Sequence, residues 1–346
     1  MIKYFMSILS LLGLVACGKN YTNLSVDEFE KSIDTGGIAV VDVRTAEEYA
    51  DGHLRNAANI DWYADDFLPQ IEQAYPKETP LAVYCRSGRR SADAAKKLAK
   101  AGYTVYNLLG GYLAWTEAGK PTITYEVETF FTDSGKPVSI TLIKHDSLAI
   151  SIDGEYIQVD PVGGYGKPTD YTVEFPKASV ILVTHEHRDH FDKDAIAALT
   201  QEGKTTLVTN ERCAGMLGYG TVMANGDHET LLVDVGIDAV PAYNYSEGRT
   251  QFHPQGRDNG FVLTIDGLRI YIAGDTEDIP EMAELKDIDI AFLPVNQPYT
   301  MTVEQCVNAA RVIDPKVLIP YHFSNTDLSG LPEQLPGIKV LLRQMQ

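Results

Sequence analysis

The sequence holds no CxxC pair. Its four cysteines, Cys17, Cys85, Cys213 and Cys306, are scattered over 346 residues. That spacing excludes a zinc ribbon and gives no disulfide framework, so each cysteine has to be explained alone. Basic residues are the next shortage: 29 lysines and arginines face 48 acidic side chains, a formal net charge of -19. A field of that sign repels phosphate backbones, and no nucleic-acid partner is expected. No internal repeat is visible. The longest purely apolar stretch, near the N-terminus, is too short to span a bilayer. What remains is ordinary globular material, with 44% apolar and 22% charged residues, which excludes bulk disorder. At roughly 150 residues per domain the length suggests two domains.

Residues 1–17 read as a targeting segment. Lys3 supplies a positive start, and the run from Phe5 to Ala16 has the length of a signal-peptide apolar region. It ends in Leu14-Val-Ala-Cys17, which resembles a bacterial lipobox. The resemblance implies cleavage before Cys17, lipidation of that residue, and a protein exported and lipid-anchored to the cell envelope. Gly18 after the cysteine points, in a Gram-negative cell, to the outer membrane.

Residues 18–121 alternate strand and helix signals. Ile38-Ala-Val-Val-Asp-Val43 and Leu81-Ala-Val-Tyr84 are runs typical of buried parallel strands. The segment 91–101 has apolar residues at helical spacing closed by Gly102, and residues 105–108 form a third strand. This order argues a parallel α/β domain. Residues 122–136 lose the rhythm and read as a linker or a leading-in strand. In residues 137–346 short strands dominate (138–142, 147–152, 156–159, 180–184), with helices at 193–200 and 302–313, which suggests an α/β sandwich.

Between the second strand and the helix stands Tyr84-Cys-Arg-Ser-Gly-Arg-Arg-Ser91. A loop that opens a helix has the positive end of the helix dipole beneath it, and Arg86, Arg89 and Arg90 add fixed charge. Both favour the thiolate of Cys85, the reactive form. The domain resembles the rhodanese family over about 95 residues: Val41-Asp-Val-Arg44 with Glu47-Glu-Tyr49, then Gly52-His-Leu-Arg-Asn-Ala-Ala-Asn-Ile60, then Gly110-Gly-Tyr-Leu-Ala-Trp115. The resemblance implies an α/β/α domain in which Cys85 takes sulfur from a sulfane-sulfur donor as a persulfide, cradled by Arg86, Ser87, Gly88, Arg89 and Arg90.

The second site follows the strand at 180–184. Three histidines and an aspartate within six residues, in Thr184-His-Glu-His-Arg-Asp-His190, have no common structural explanation and suit Zn²⁺ or a similar cation. Two further strands end in Gly274-Asp-Thr276 and in His322. From Val138 onward, over about 210 residues, the chain resembles the metallo-β-lactamase superfamily, which implies an αββα sandwich. The resemblance assigns His185 and His187 to a first metal, Asp189, His190 and His322 to a second, and Asp275 to both. The cofactor expected is Zn²⁺, two per chain, with Mn²⁺ or Fe as alternatives. Asp189 is also a candidate to orient the attacking hydroxide. One departure stands out: the family's third histidine for the first metal is missing after the strand 237–242, where Tyr243-Asn244 stands. Asn244 as an oxygen ligand, His253 from further along, and His228 in a turn are the candidates to replace it. This leaves the second metal as the better supplied. His145 is expected to line the site or pack.

These readings combine into a membrane-anchored hydrolase of an ester, lactone or phosphodiester in a small-molecule substrate, joined to a sulfurtransferase. The alternatives are an iron-dependent persulfide dioxygenase and a non-catalytic sulfur-sensing or docking lipoprotein.

Overall fold

The computed structural model describes residues 21–345, so the targeting segment and Cys17 lie outside the described residues. The first domain runs β1 (Thr22–Leu24), α1 (Val26–Asp34), β2 (Ala39–Asp42), α2 (Ala46–Ala50), β3 (Ala57–Asn59), α3 (Phe67–Ala74), β4 (Leu81–Tyr84), α4 (Arg89–Lys100), β5 (Val105–Leu108) and α5 (Gly111–Glu117). The strands pair in parallel in the order β1-β5-β4-β2-β3. β2 and β4 are buried along their whole length, as apolar runs are when helices cover both faces of a sheet. On one face Ile71 of α3 and Ala94 and Leu98 of α4 pack with Val41 and Val83. On the other, Phe29 of α1 and Trp115 of α5 meet Val40 and Tyr84. The expected α/β/α arrangement is present.

The second domain contributes β6 (Glu126–Phe131), β7 (Pro137–Lys144), β8 (Ser147–Ile152), β9 (Glu155–Val159), β10 (Val180–Val183), α6 (Lys193–Leu199), β11 (Thr206–Thr209), α7 (Glu211–Leu217) and β12 (Thr221–Val222) to its first half. Its second half holds β13 (His228–Leu232), β14 (Val235–Ala242), β15 (Asp258–Ile265), β16 (Leu268–Ile272), β17 (Ile290–Pro294), α8 (Val303–Ile313), β18 (Val317–Tyr321), α9 (Leu331–Gln334) and β19 (Lys339–Val340). Each half forms one seven-stranded sheet, in the orders β12-β11-β10-β9-β8-β7-β6 and β13-β14-β15-β16-β17-β18-β19. Both sheets follow one plan, antiparallel on one side and parallel on the other. Between them lies a core that includes Ile140, Leu182, Ile237, Phe261, Ile270 and Ile319. Ile196 and Leu199 of α6 cover one outer face, and Ala310 and Ile313 of α8 the other. This is the αββα sandwich. Within residues 122–136, β6 pairs with β7 as an edge strand of the first sheet.

The domains are closely docked. His53 and Ile123 exchange backbone hydrogen bonds of 2.8 and 2.9 Å, Tyr75 meets Phe131 edge-on, and the Asn56 amide donates to the Tyr156 hydroxyl at 2.9 Å. Gly36, at φ +79°, lies so near the β8–β9 turn that a Cβ there would stand 2.2 Å from the Asp153 Cα.

No helix among the described residues is long and apolar enough to cross a membrane.

Candidate metal centre

Ligands in open α/β sheets gather beyond the carboxyl ends of parallel strands, and that is where the histidines lie. His185, His187, Asp189 and His190 follow β10, Asp275 follows β16, and His322 follows β18. The β7–β8 turn brings His145 and Asp146 to the same edge. The His322 amide donates to the His145 carbonyl at 3.2 Å, and the Gly274 amide to the Tyr321 hydroxyl at 2.8 Å. The loops are therefore fixed to each other.

Two clusters form, in each of which the potential ligand atoms lie within 4.8 Å of one another. The first is His185, His187, His253 and Asp275. His187 Nδ1 stands 3.0 Å from His185 Nε2 and 3.2 Å from His253 Nε2, and Asp275 Oδ2 lies 3.2 Å from His253 Nε2 and 3.9 Å from His185 Nε2. The second is His145, Asp146, His190 and His322. Asp275 turns its other oxygen to this side, with Oδ1 3.4 Å from His190 Nε2 and 3.3 Å from His322 Nε2. One carboxylate thus faces both clusters.

A second layer fixes the rings. Asp160 accepts from the Thr184 amide and hydroxyl at 2.8 and 2.6 Å and lies 2.9 Å from His190 Nδ1. The Thr184 hydroxyl is 3.0 Å from His185 Nδ1. Nδ1 of each ring being engaged, Nε2 is left facing the centre, the usual work of outer-shell partners at metal sites. Buried and without a hydrogen-bond partner are Asp146 Oδ1 and Oδ2, Asp275 Oδ1, His190 Nε2 and His322 Nε2. Such a set of orphaned donors and acceptors is what a divalent cation satisfies, so these residues fit a metal pair. The field agrees. Burial alone would push His190 and His322 down, yet Asp275 and Asp146 outweigh it, and His322 is raised to about 9. His185, buried among other imidazoles, is pushed well down and presents a neutral ring.

The structure places each ligand candidate. The Asn244 side-chain amide donates to the Tyr299 carbonyl at 2.6 Å, and its backbone N–H holds the His253 carbonyl at 2.8 Å. That bond returns the loop to the centre, where His253, one of the three candidates for the missing histidine, joins the first cluster. The first position is therefore as well supplied as the second. His228 is exposed and pairs with Asp238. Asp189 lies at the rim, its Oδ2 3.2 Å from His145 Nε2 and 4.0 Å from His322 Nε2. His145 and Asp146 are the additions. Asp146 had a readable signal, a His-Asp pair between two apolar strands in Lys144-His-Asp-Ser147.

In the first domain Cys85 is buried, and the Ser91 hydroxyl lies 3.5 Å from its Sγ. Amides of α5 take the loop's carbonyls, Tyr112 N–H to Cys85 O at 2.8 Å and Leu113 N–H to Arg86 O at 3.0 Å. Arg86, Ser87 and Arg89 are exposed, Gly88 is the left-handed cap of α4, and Arg90 makes a two-pronged pair with Glu48 at 2.7 Å. The Asp42–Arg44 pair, at 2.6 Å and buried, has a structural role: Arg44 also donates to the Gly52 carbonyl and lies over the Tyr112 ring. Gly111, at φ +60°, leaves no room for a side chain, since its Cβ would fall 2.2 Å from Cys85 O and 2.7 Å from Gly88 N. Gly119, at φ +68°, has nothing within 4 Å. Both substitutions to alanine carry the same backbone strain, but only Gly111→Ala overpacks the loop. It should cost about 1–3 kcal/mol more than Gly119→Ala in a denaturant melt.

Residues 139–322, more than half of the chain, match the Beta-lactamase superfamily domain. The chain belongs to the metallo-β-lactamase superfamily. Residues 25–118 match the Rhodanese-like domain. Among superfamily relatives, a UPF0173 metal-dependent hydrolase of Ligilactobacillus salivarius is 32% identical over 194 residues, covering 54% of this chain and 85% of the relative. A solved structure from Parabacteroides distasonis, described as a metal-dependent hydrolase, is 53% identical with a TM-score of 0.62, covering 64% of this chain and 100% of that one. A metallo hydrolase from Ignicoccus hospitalis is 26% identical with a TM-score of 0.51, covering 60% of this chain and 95% of that one.

Proposed function

We propose that the superfamily domain of this chain hydrolyses an ester, lactone or phosphodiester bond of a small molecule at a two-metal centre, and that Cys85 carries sulfur for a transfer step. At the coarser level the protein is a metal-dependent hydrolase of the metallo-β-lactamase superfamily with a rhodanese-like domain. The observation that supports two metals is Asp275, whose oxygens divide between two histidine clusters.

His185, His187 and His253 would hold one cation, His190, His322 and their neighbouring carboxylates the other, with Asp275 common to both. Bound there, the cations supply a water acidic near neutral pH and a clamp on the substrate oxygen. The chain's own groups do the rest. Asp160 and Thr184 hold the imidazoles in the tautomer that presents Nε2. Asp189 is kept ionised far below the usual carboxylate range, because the hydrogen bond from His145 and the charge of His190 outweigh its burial. Its carboxylate lies at the rim, where it would accept a hydrogen bond from the attacking water and orient it. A cavity of about 160 Å³ whose walls include His145, Tyr165 and Asn325 opens beside the second cluster.

In the first domain the Cys85 thiolate would attack the sulfane sulfur of a donor such as thiosulfate. The S–S bond breaks, sulfite leaves with the electron pair, and Cys85 keeps the sulfur as a persulfide. An acceptor such as cyanide then takes that sulfur and restores the thiolate. Attachment to a membrane through Cys17 belongs to the same reading and rests on the sequence alone.

With His253 in place, the three histidines that an iron-dependent persulfide dioxygenase would use come together. What separates the readings is the second cluster, which a single iron does not need. Metal analysis of the purified protein is expected to give two equivalents per chain, with activity on one class in a panel of phosphodiesters, lactones and thioesters. One iron per chain, with oxygen uptake on glutathione persulfide, would overturn the hydrolytic reading.

A further inference from the structure

Asp146 is the residue the superfamily reading does not use. It is wholly buried, yet neither carboxylate oxygen receives a hydrogen bond. Its Oδ2 faces only imidazole nitrogens, at 3.3 Å from His190 Nε2, 3.6 Å from His322 Nε2 and 3.8 Å from His145 Nε2. Among the described residues no lysine or arginine pairs with it. The adjacent Lys144 turns the other way and donates to the carbonyls of Gly163 and Lys167 at 3.0 and 2.6 Å. An ionised carboxylate in such a place is tolerated only beside a cation. Two protonated imidazoles could supply the charge, but His190 and His322 stack with ring centroids 5.5 Å apart and would repel each other. One dication among them would satisfy Asp146 Oδ2, Asp275 Oδ1 and the Nε2 atoms of His190 and His322 without that repulsion.

The two clusters also differ in chemistry. The first offers three nitrogens, from His185, His187 and His253, and one carboxylate oxygen, from Asp275. The second also offers three nitrogens, from His145, His190 and His322, but two carboxylate oxygens, from Asp146 and the other side of Asp275, with Asp189 at its rim. Imidazole suits zinc, and carboxylate oxygen suits harder cations such as Mn²⁺.

We propose that Asp146 is a metal ligand, and that it makes the second position, with one carboxylate more than the first, selective for a harder divalent cation than the zinc held by His185, His187 and His253. This rests on the two-metal reading above and assigns each position its kind of metal.

The test offers the full-length, metal-stripped protein two equivalents each of Zn²⁺ and Mn²⁺ together. Free Mn²⁺ is read by electron paramagnetic resonance and bound metal by elemental analysis. The wild type is expected to hold one zinc and one manganese. Asp146→Asn, which keeps the shape and removes the charge, is expected to keep the zinc and to bind Mn²⁺ at least tenfold more weakly, since even outer-shell partners are worth about 10–100-fold in metal affinity. Asp146→Ser, which leaves space for a water, should repeat the loss if the asparagine variant does not fold. Mn²⁺ binding at wild-type strength in a folded variant overturns the role of Asp146 and leaves the two-metal centre standing. A wild type that takes up two zincs and no manganese overturns the selectivity. A wild type that binds one metal or none overturns the two-metal reading and this inference with it.

Discussion

Asp275→Ala is expected to release metal from both positions and to slow hydrolysis by about 10³-fold or more. The reason is its double duty: Oδ2 faces His253 and Oδ1 faces His190 and His322, all within 3.4 Å. Loss of an outer-shell partner already costs about 10–100-fold. A group shared by two positions exacts such a loss at each, and the product reaches that size. A thousandfold corresponds to about 4 kcal/mol in the barrier. Metal content and initial rates, measured on one preparation, decide the matter. Retention of both metals with a rate within tenfold of wild type would remove Asp275 from the centre.

Cys85→Ala should bring thiocyanate formation down to the uncatalysed background, because no other group in the loop can take up sulfur as a persulfide. Ser91, whose hydroxyl faces the sulfur, cannot replace it. The fold should hold: deletion of one small buried group costs roughly 0.5–1.5 kcal/mol, a modest part of a domain's stability. Hydrolysis by the same preparation should be unchanged, since every group of the metal clusters lies in the other domain. Thiocyanate production that persists in the alanine variant would mean that sulfur is carried elsewhere.

The sequence showed most where chemistry is local. Leu81–Tyr84, Val105–Leu108, Ser147–Ile152 and Val317–Tyr321 are strands with the bounds their apolar runs suggest. The close-set histidines of 185–190 declare a site without help from the fold. What stayed open or hidden depends on distance. His253 was one of three candidates because it comes from a loop without periodicity, which returns to the centre through a backbone hydrogen bond from Asn244, another of the three. Asp146 is one acid in a tight turn, and only the fold places it opposite His190 and His322. β6 was legible only as a linker or a leading-in strand, because Glu126-Val-Glu-Thr-Phe-Phe131 exposes part of both faces at the sheet edge.

The contact of Gly36 with the β8–β9 turn constrains how this chain can change through descent. The gap admits no side chain at Gly36, and Gly154 faces the same limit against the Asp34 carbonyl, 2.7 Å from where its Cβ would lie. Asn56 and Tyr156 meet across the same seam. A side chain at either glycine would force the seam apart, so a change on one side is tolerated only with a matching change on the other.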